Sequence, residues 1–318
     1  MKKRTVSAYA LGHFLVDFSC AFLLISTNPS PWLFIIYNFC AFALQMPIGL
    51  LADIIGYNQK ISIMGACLIF AAYLPLPIPI QVLLLGVGNA CYHVGGGREA
   101  LLCDKRLLGL GIFVSPGAIG ILLGTFAANI SVFAGIVPPA LLLLIIAILV
   151  FCPNKCILIR PGKSNGRSCF LMFLVVLARS FVGLCMQTPW KTGIFLILAG
   201  IASAAGKFLG GILADRFGSK RTGIASLLIS ACLFCVPDLA IAGILGCLCF
   251  NMTMPITLKG AADALPGSEG FSFGLLTFAL FLGYLPTAAG FTIAPWIGAV
   301  VSFLSAILLM FFREKRHD

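Results

Sequence analysis

The stretch GGILADRFGSKR, residues 210–221, packs one acid, three bases and three glycines into a single short turn. A fainter copy, GLLADIIGYNQK, occupies residues 49–60. The two acids, Asp53 and Asp215, are 162 residues apart (215 − 53 = 162) in a chain of 318. Polar turns of this kind stand out because the rest of the chain is mostly hydrocarbon. Apolar residues make up 60% and charged residues 10% of it, and the mean hydropathy is +1.09. A water-soluble domain needs a polar outer shell that this composition does not provide, so the lipid bilayer must be the solvent for most of the chain.

A membrane span takes about 20 mainly apolar residues. Working outward from the two turns, apolar runs fall near 7–27, 31–53, 61–78, 80–101, 107–128, 131–151, 168–188, 190–214, 221–237, 239–260, 270–288 and 292–312. This predicts twelve spans, the third and ninth being the shortest. Of the 21 Lys and Arg residues, all but three lie on alternate connections beginning at the N-terminus. Lys191 lies on an opposite connection, and Arg179 and Lys207 lie inside spans. Bases gather on the cytoplasmic side, so both termini are expected there, in a multi-pass protein of the plasma or inner membrane. The net charge of +11 is thus a signal of topology, and no nucleic-acid partner is expected. The opening MKKR and its apolar run imitate a secretory signal, but His13 and Asp17 interrupt the run. It is read as an uncleaved first helix.

The thirteen cysteines fall mostly within spans at irregular spacing and read as small buried hydrophobes. The one C-x-x-C, Cys232 to Cys235, has no second pair and no nearby histidine. No metal, disulfide or cofactor is expected. Nothing resembles a nucleotide loop or a nucleophile–base pair, so an enzyme is not expected either. The chain is expected to act as a monomer.

The offset of 162 recurs. Gly49, Leu51, Ala52, Asp53 and Gly56 fall on Gly211, Leu213, Ala214, Asp215 and Gly218. Asn89 falls on Asn251, Gln45 on Lys207, Asp17 on Arg179 and Ser115 on Thr277. The chain therefore reads as two six-helix repeats of one topology. The halves are 1–151 and 168–318, joined by a basic linker at 152–167. Spans 1, 2, 4, 7, 8 and 10 carry polar residues at mid-span, whereas spans 3, 6, 9 and 12 hold no charge within them. Ionisable residues in a membrane avoid lipid, so the first group is expected around a central cavity and the second outside it.

The sequence G-x-L-A-D-R-x-G-S-K-R between spans 8 and 9 resembles the cytoplasmic signature loop of the major facilitator superfamily, and the likeness extends over the whole chain. It implies an all-α polytopic membrane protein with twelve transmembrane helices in two pseudo-symmetric six-helix halves. It also implies gating by Gly49, Asp53, Gly56, Arg98, Gly211, Asp215, Arg216, Gly218, Lys220 and Arg221. Such loops latch the halves together on the cytoplasmic side. By resemblance, Asp215 should meet the start of span 5 near Leu107, and Asp53 the start of span 11 near Phe271. The first copy departs from the pattern: Ile54 replaces the base after the aspartate, and Tyr57-Asn58 replace the basic pair. That departure bears on the first loop's charge network and not on the fold. A plain positive-inside loop would account for the bases alone, but not for the acid and glycines.

A narrower resemblance lies in GHFLVDF (12–18) and GVGNACYHVGGGR (86–98), which are similar to the first and fourth helices of the fosmidomycin-resistance group of drug exporters. Gly86, Gly88, Tyr92, His93 and Arg98 carry the match, while Val94 and Gly95 depart from it. VSPGAIG at 114–120 resembles the Gly-Pro signature of exporters, with Ser115 where glycine is usual and a kink at Pro116 as the simpler reading.

Asp17 sits about 15 Å along the first span, near the bilayer midplane, with Arg179 at similar depth. Two readings of the charged trio stand side by side. Asp17 neutralises Arg179 or Lys207 as a structural ion pair, or the base left over receives an anionic group of a substrate. Asp17 and His13, which share a helical face, are the candidates for proton coupling, and a helix-packing hydrogen bond is the simpler role for His13. Asn38, Gln45, Asn89, His93 and Asn251 complete the expected cavity, with Gln187 as a further donor. The expected function is secondary active transport of a small organic, anionic or amphiphilic solute by alternating access, with protons as the coupling ion and export as the direction. Proton-coupled uptake is the alternative within this class. A transporter-like membrane sensor or scaffold that carries nothing is the alternative of another class.

Overall fold

A computed structural model describes residues 2–104, 106–130, 135–152 and 155–312, giving only the backbone of residues 2 and 3. The sequence-based assignments at Lys105, 131–134, 153–154 and 313–318 lie outside the described residues.

Twelve helical spans run through the described residues. The first half holds α1 (Lys2–Thr27), α2 (Pro31–Ile55), α3 (Asn58–Ala71), α4 (Ile78–Cys103), α5 (Leu107–Ala128) and α6 (Val137–Val150). The second holds α7 (Gly166–Cys185), α8 (Gly193–Phe217), α9 (Ser219–Phe234), α10 (Ala240–Ala264), α11 (Glu269–Ala288) and α12 (Pro295–Met310). Eight are long and apolar enough to cross a bilayer, and the four shorter ones are α3, α6, α9 and α12. The third span ends at Ala71 rather than near 78. Pro75 and Pro77 cannot supply the N–H groups that further turns need, although the residues around them are apolar.

Three spans are locally irregular. α2 passes through a π-helical stretch at Phe39–Ala43, between Asn38 and Gln45. α5 breaks at Ser115–Pro116, because proline removes a ladder donor and crowds the preceding turn. α10 breaks at Met252, three residues before Pro255.

The halves meet along two seams, α2 against α11 and α5 against α8. Glycine permits the close approach. A Cβ at Gly49 would overlap the backbone carbonyl of Gly270, and one at Gly211 would lie 2.8 Å from the carbonyl oxygen of Leu107. In the two turns that opened the sequence reading, Gly56 (φ 75°) and Gly218 (φ 90°) both close their helices with positive φ, where glycine carries no steric penalty, though their ψ angles of 1° and 144° send the chain on differently.

Candidate functional site

Each signature carboxylate crosses a seam and accepts from the free N–H groups at the start of a helix in the other half. Asp215 Oδ1 and Oδ2 accept from Leu107 N at 2.8 Å and Leu108 N at 2.9 Å. Asp53 Oδ1 and Oδ2 accept from Gly270 N at 2.9 Å and Phe271 N at 2.8 Å. These contacts fall where the resemblance implied them, near Leu107 and Phe271. The first four N–H groups of a helix lack internal partners and carry partial positive charge, so a carboxylate there satisfies both needs.

The degenerate first loop carries the fuller charge network. Arg98 of α4, with none of its surface exposed, donates from Nε to Asp53 Oδ1 at 2.8 Å, from Nη1 to Asn58 Oδ1 at 2.7 Å and from Nη2 to the Ile157 carbonyl at 2.8 Å. Asn58 donates in turn to Glu99 Oε2 at 2.7 Å. Asn58, Glu99 and the Ile157 carbonyl were missed by sequence reasoning. Asn58 had registered only as a substitute for a lost base. The bases of the second loop turn away from Asp215. Lys220 donates to the Met310 carbonyl, and Arg216 lies over the Phe217 ring at 5.3 Å.

On the opposite side of the latches lies a cavity of about 260 Å³. Its wall runs from His13 and Asp17 toward Ile25 on α1, and from Gln45 toward Phe34 on α2. α4, α5, α7, α10 and α11 complete it, and α3, α6, α9 and α12 contribute nothing to it among the described residues. This sorting of inner from outer helices matches the sequence pattern, with one correction. α8 does not line the cavity, while α5 and α11 do.

Of the expected cavity residues, Asp17, Arg179, Gln45, Asn89, His93 and Asn38 line the wall together with His13. Lys207 and Asn251 do not. Lys207 is half-buried on α8, and Asn251 donates to the Cys247 carbonyl at 2.8 Å and to Ser203 Oγ at 3.4 Å, within α8–α10 packing. Gln187 bonds Thr292 at 3.3 Å at an exposed end.

The expected ion pair of Asp17 with Arg179 or Lys207 is not formed. Asp17 is held within its own half: His13 Nε2 lies 3.1 Å and His93 Nε2 3.5 Å from its carboxylate, and Asn89 Nδ2 donates to it at 3.0 Å. His93 was expected only as a cavity residue, because nothing in its spacing ties α4 to α1. His13 Nδ1 reaches the Phe113 carbonyl at 2.6 Å, in the turn before the α5 break, so the helix-packing bond and the Asp17 contact coexist. Arg179 is 93% buried (7% exposed), with its Nε and Nη1 lacking any hydrogen-bond partner among the described residues. Gln45, with no exposed surface, leaves Oε1 equally without a partner. Unpartnered buried groups are costly, and here a donor and an acceptor sit in one apolar wall.

No protein-family model matches the sequence, and no curated protein does. Solved structures do match. A variant of the E. coli fucose:proton symporter FucP aligns with TM-score 0.70 at 13% identity, covering 98% of each chain. FucP in the outward conformation aligns with TM-score 0.69 at 13% identity and the same coverage. The human organic anion transporter MFSD10 (TETRAN) aligns with TM-score 0.75 at 12% identity, covering 97% of this chain and 99% of that one. At such identities the likeness speaks for architecture alone: the chain is an all-α membrane protein with the twelve-helix, two-half fold of major facilitator transporters.

Proposed function

We propose that this protein is a secondary active transporter that moves a small organic solute by alternating access. The observation that carries the reading is the pairing of a central cavity with two carboxylate latches. Both latches cross between the halves on one side of it, and Arg179 stands in its wall with Nε and Nη1 unpartnered among the described residues. A rocking motion of one half against the other would break both latches and move the opening to the loop side.

The solute follows from the wall. Arg179 offers a buried fork of donors suited to a carboxylate, phosphate or phosphonate, and Gln45 Oε1 asks for a donor. The remaining lining is mostly aliphatic and aromatic, which suits an anionic or amphiphilic compound carrying a hydroxyl or amine. The name of MFSD10 describes an organic anion transporter, in keeping with an anionic solute.

Proton coupling is supported by Asp17 and His13 meeting His93 at the cavity base. Export is supported by the Ser115–Pro116 break in α5 and by the exporter-like first and fourth helices, whose His13 and His93 come into contact. Uptake by proton symport is the second reading, favoured by the fold shared with FucP, described as a fucose:proton symporter. The distribution of bases supports both termini on the cytoplasmic side of a plasma or inner membrane, the 162-residue offset supports the halves 1–151 and 168–318 joined by 152–167, and a monomeric carrier is part of the same proposal.

Proton flux in proteoliposomes under an imposed pH gradient tests the reading, as small anions and phosphonates are added. We expect a compound that collapses the gradient through wild type but not through Asp17→Asn, and whose transport falls at least tenfold in Arg179→Gln. Unchanged binding of that compound in Arg179→Gln would remove Arg179 from the solute site. Silence across the panel with folded protein would favour the sensor or scaffold reading.

A further inference from the structure

We propose that His13, Asp17 and His93 bind a divalent transition metal of the zinc–cobalt–nickel class at the base of the cavity. The argument begins with where the imidazole hydrogens must be. His13 Nδ1 lies 2.6 Å from the Phe113 carbonyl oxygen, and His93 Nδ1 lies 2.9 Å from that of Asn89. A carbonyl only accepts, so both Nδ1 atoms carry hydrogen, and in neutral rings both Nε2 atoms are bare lone pairs. Those two lone pairs face each other at 2.9 Å. The Asp17 carboxylate closes the ring of acceptors, with Oδ2 3.1 Å from His13 Nε2 and Oδ1 3.5 Å from His93 Nε2. Donor atoms this close repel one another unless a cation sits among them.

A transition metal satisfies all three contacts together. Ligand atoms at about 2.0–2.2 Å from a tetrahedral ion lie roughly 3.3–3.5 Å apart, and the observed separations need little adjustment to reach that. The outer shell is already in place. Each imidazole donates its far N–H to a backbone carbonyl, and Asn89 orients the carboxylate at 3.0 Å, which is how metal-binding histidines are usually held. Two nitrogens and one oxygen favour zinc, cobalt or nickel over magnesium or calcium, which prefer oxygen throughout. All three residues line the cavity, so a fourth coordination position is free to face it. A single proton is the rival occupant, since it bridges one of these contacts at a time. Lys207 and Arg179 are the nearby cations that either occupant must tolerate.

The inference shares its cavity with the transport reading but stands on the geometry of this cluster. The test is a titration of the purified full-length chain in detergent with Co²⁺, followed by visible absorption, for wild type, His13→Gln and His93→Gln. We expect one Co²⁺ per chain, the spectrum of a low-coordinate site with nitrogen and oxygen ligands, displacement by Zn²⁺, and at least tenfold weaker binding in each variant. A near-ultraviolet thiolate band would place the metal on one of the thirteen cysteines and overturn the proposal, as would binding unchanged in both variants. Absence of stoichiometric binding by folded wild type would also overturn it. The wild-type spectrum and stoichiometry decide the matter even if a variant fails to fold. Failure here alongside intact Asp17-dependent proton flux would assign the cluster to a proton and leave the transport reading standing.

Discussion

The two signature turns are the same device built with different support. Both aspartates accept two N–H groups across a seam, from helix starts that correspond to within one residue at the offset of 162. Asp53 also holds Arg98, which ties α2 to α4, to Asn58 and to the extended segment at Ile157. Asp215 has no such clamp among the described residues, and the position matching Arg98 is Gly260. The turn with the complete run of bases therefore uses them least in its latch. The difference teaches that the bases beside Asp215 take no part in its helix-start contacts, whereas the guanidinium that holds Asp53 comes from another helix. The first latch is expected to be part of a rigid half, and the second to be the one that yields more easily.

The comparison can be broken most forcefully at Arg98. Arg98→Met strands the Asp53 carboxylate and the Asn58 carbonyl, and removing one partner of a buried pair costs about 3–5 kcal/mol. A fall in thermal stability in detergent far larger than that of any second-loop variant is the expected result. Asp53→Asn should approach the same loss, because it leaves Arg98 buried without its anion. Gly49→Val and Gly211→Val come next, since overpacking typically costs about 1–3 kcal/mol. Both should lower the share of molecules closed on the loop side, Gly49→Val the more so, as read by protection of the α2 and α8 ends from labelling. Asp215→Asn removes a carboxylate from a helix start, worth about 0.3–1 kcal/mol when exposed and up to about 2 when partly buried. It should loosen the loop side with little loss of stability. Lys220→Ala should change stability by less than about 0.5 kcal/mol.

How much of this could be read in the chain depends on whether the signal was local. The turns at 49–60 and 210–221 carry their chemistry within a dozen residues, so their likeness to a known signature loop could point to contacts near Leu107 and Phe271, and the 162-residue offset to the two-half fold. Charges at mid-span pointed to a cavity, and the apolar sixth span pointed to the outside. What could not be read was which face of one helix meets another. Asp17 and His13 share a face by spacing, but only the fold brings His93 of α4 against them. Lys207 matches Gln45 by the repeat and yet stays out of the cavity wall, because no described residue of α8 lines it. Arg98 was singled out by the motif at 86–98, whereas its partners Asn58 and Ile157 lie 40 and 59 residues away along the chain.

The central claim is that the loop side and the opposite side of the cavity open in alternation, with both latches breaking together. It is tested most directly by distance measurements with genetically encoded spin labels at two pairs of exposed sites. Arg106 with Phe217 reports the loop side, and Ile130 with Ile194 the opposite side. The account predicts two populations whose distances change in opposite senses. In the Asp53→Asn, Asp215→Asn double variant, the loop-side pair should move apart as the opposite pair draws together. A single population at both pairs, unmoved in the double variant, would contradict alternating access through these latches.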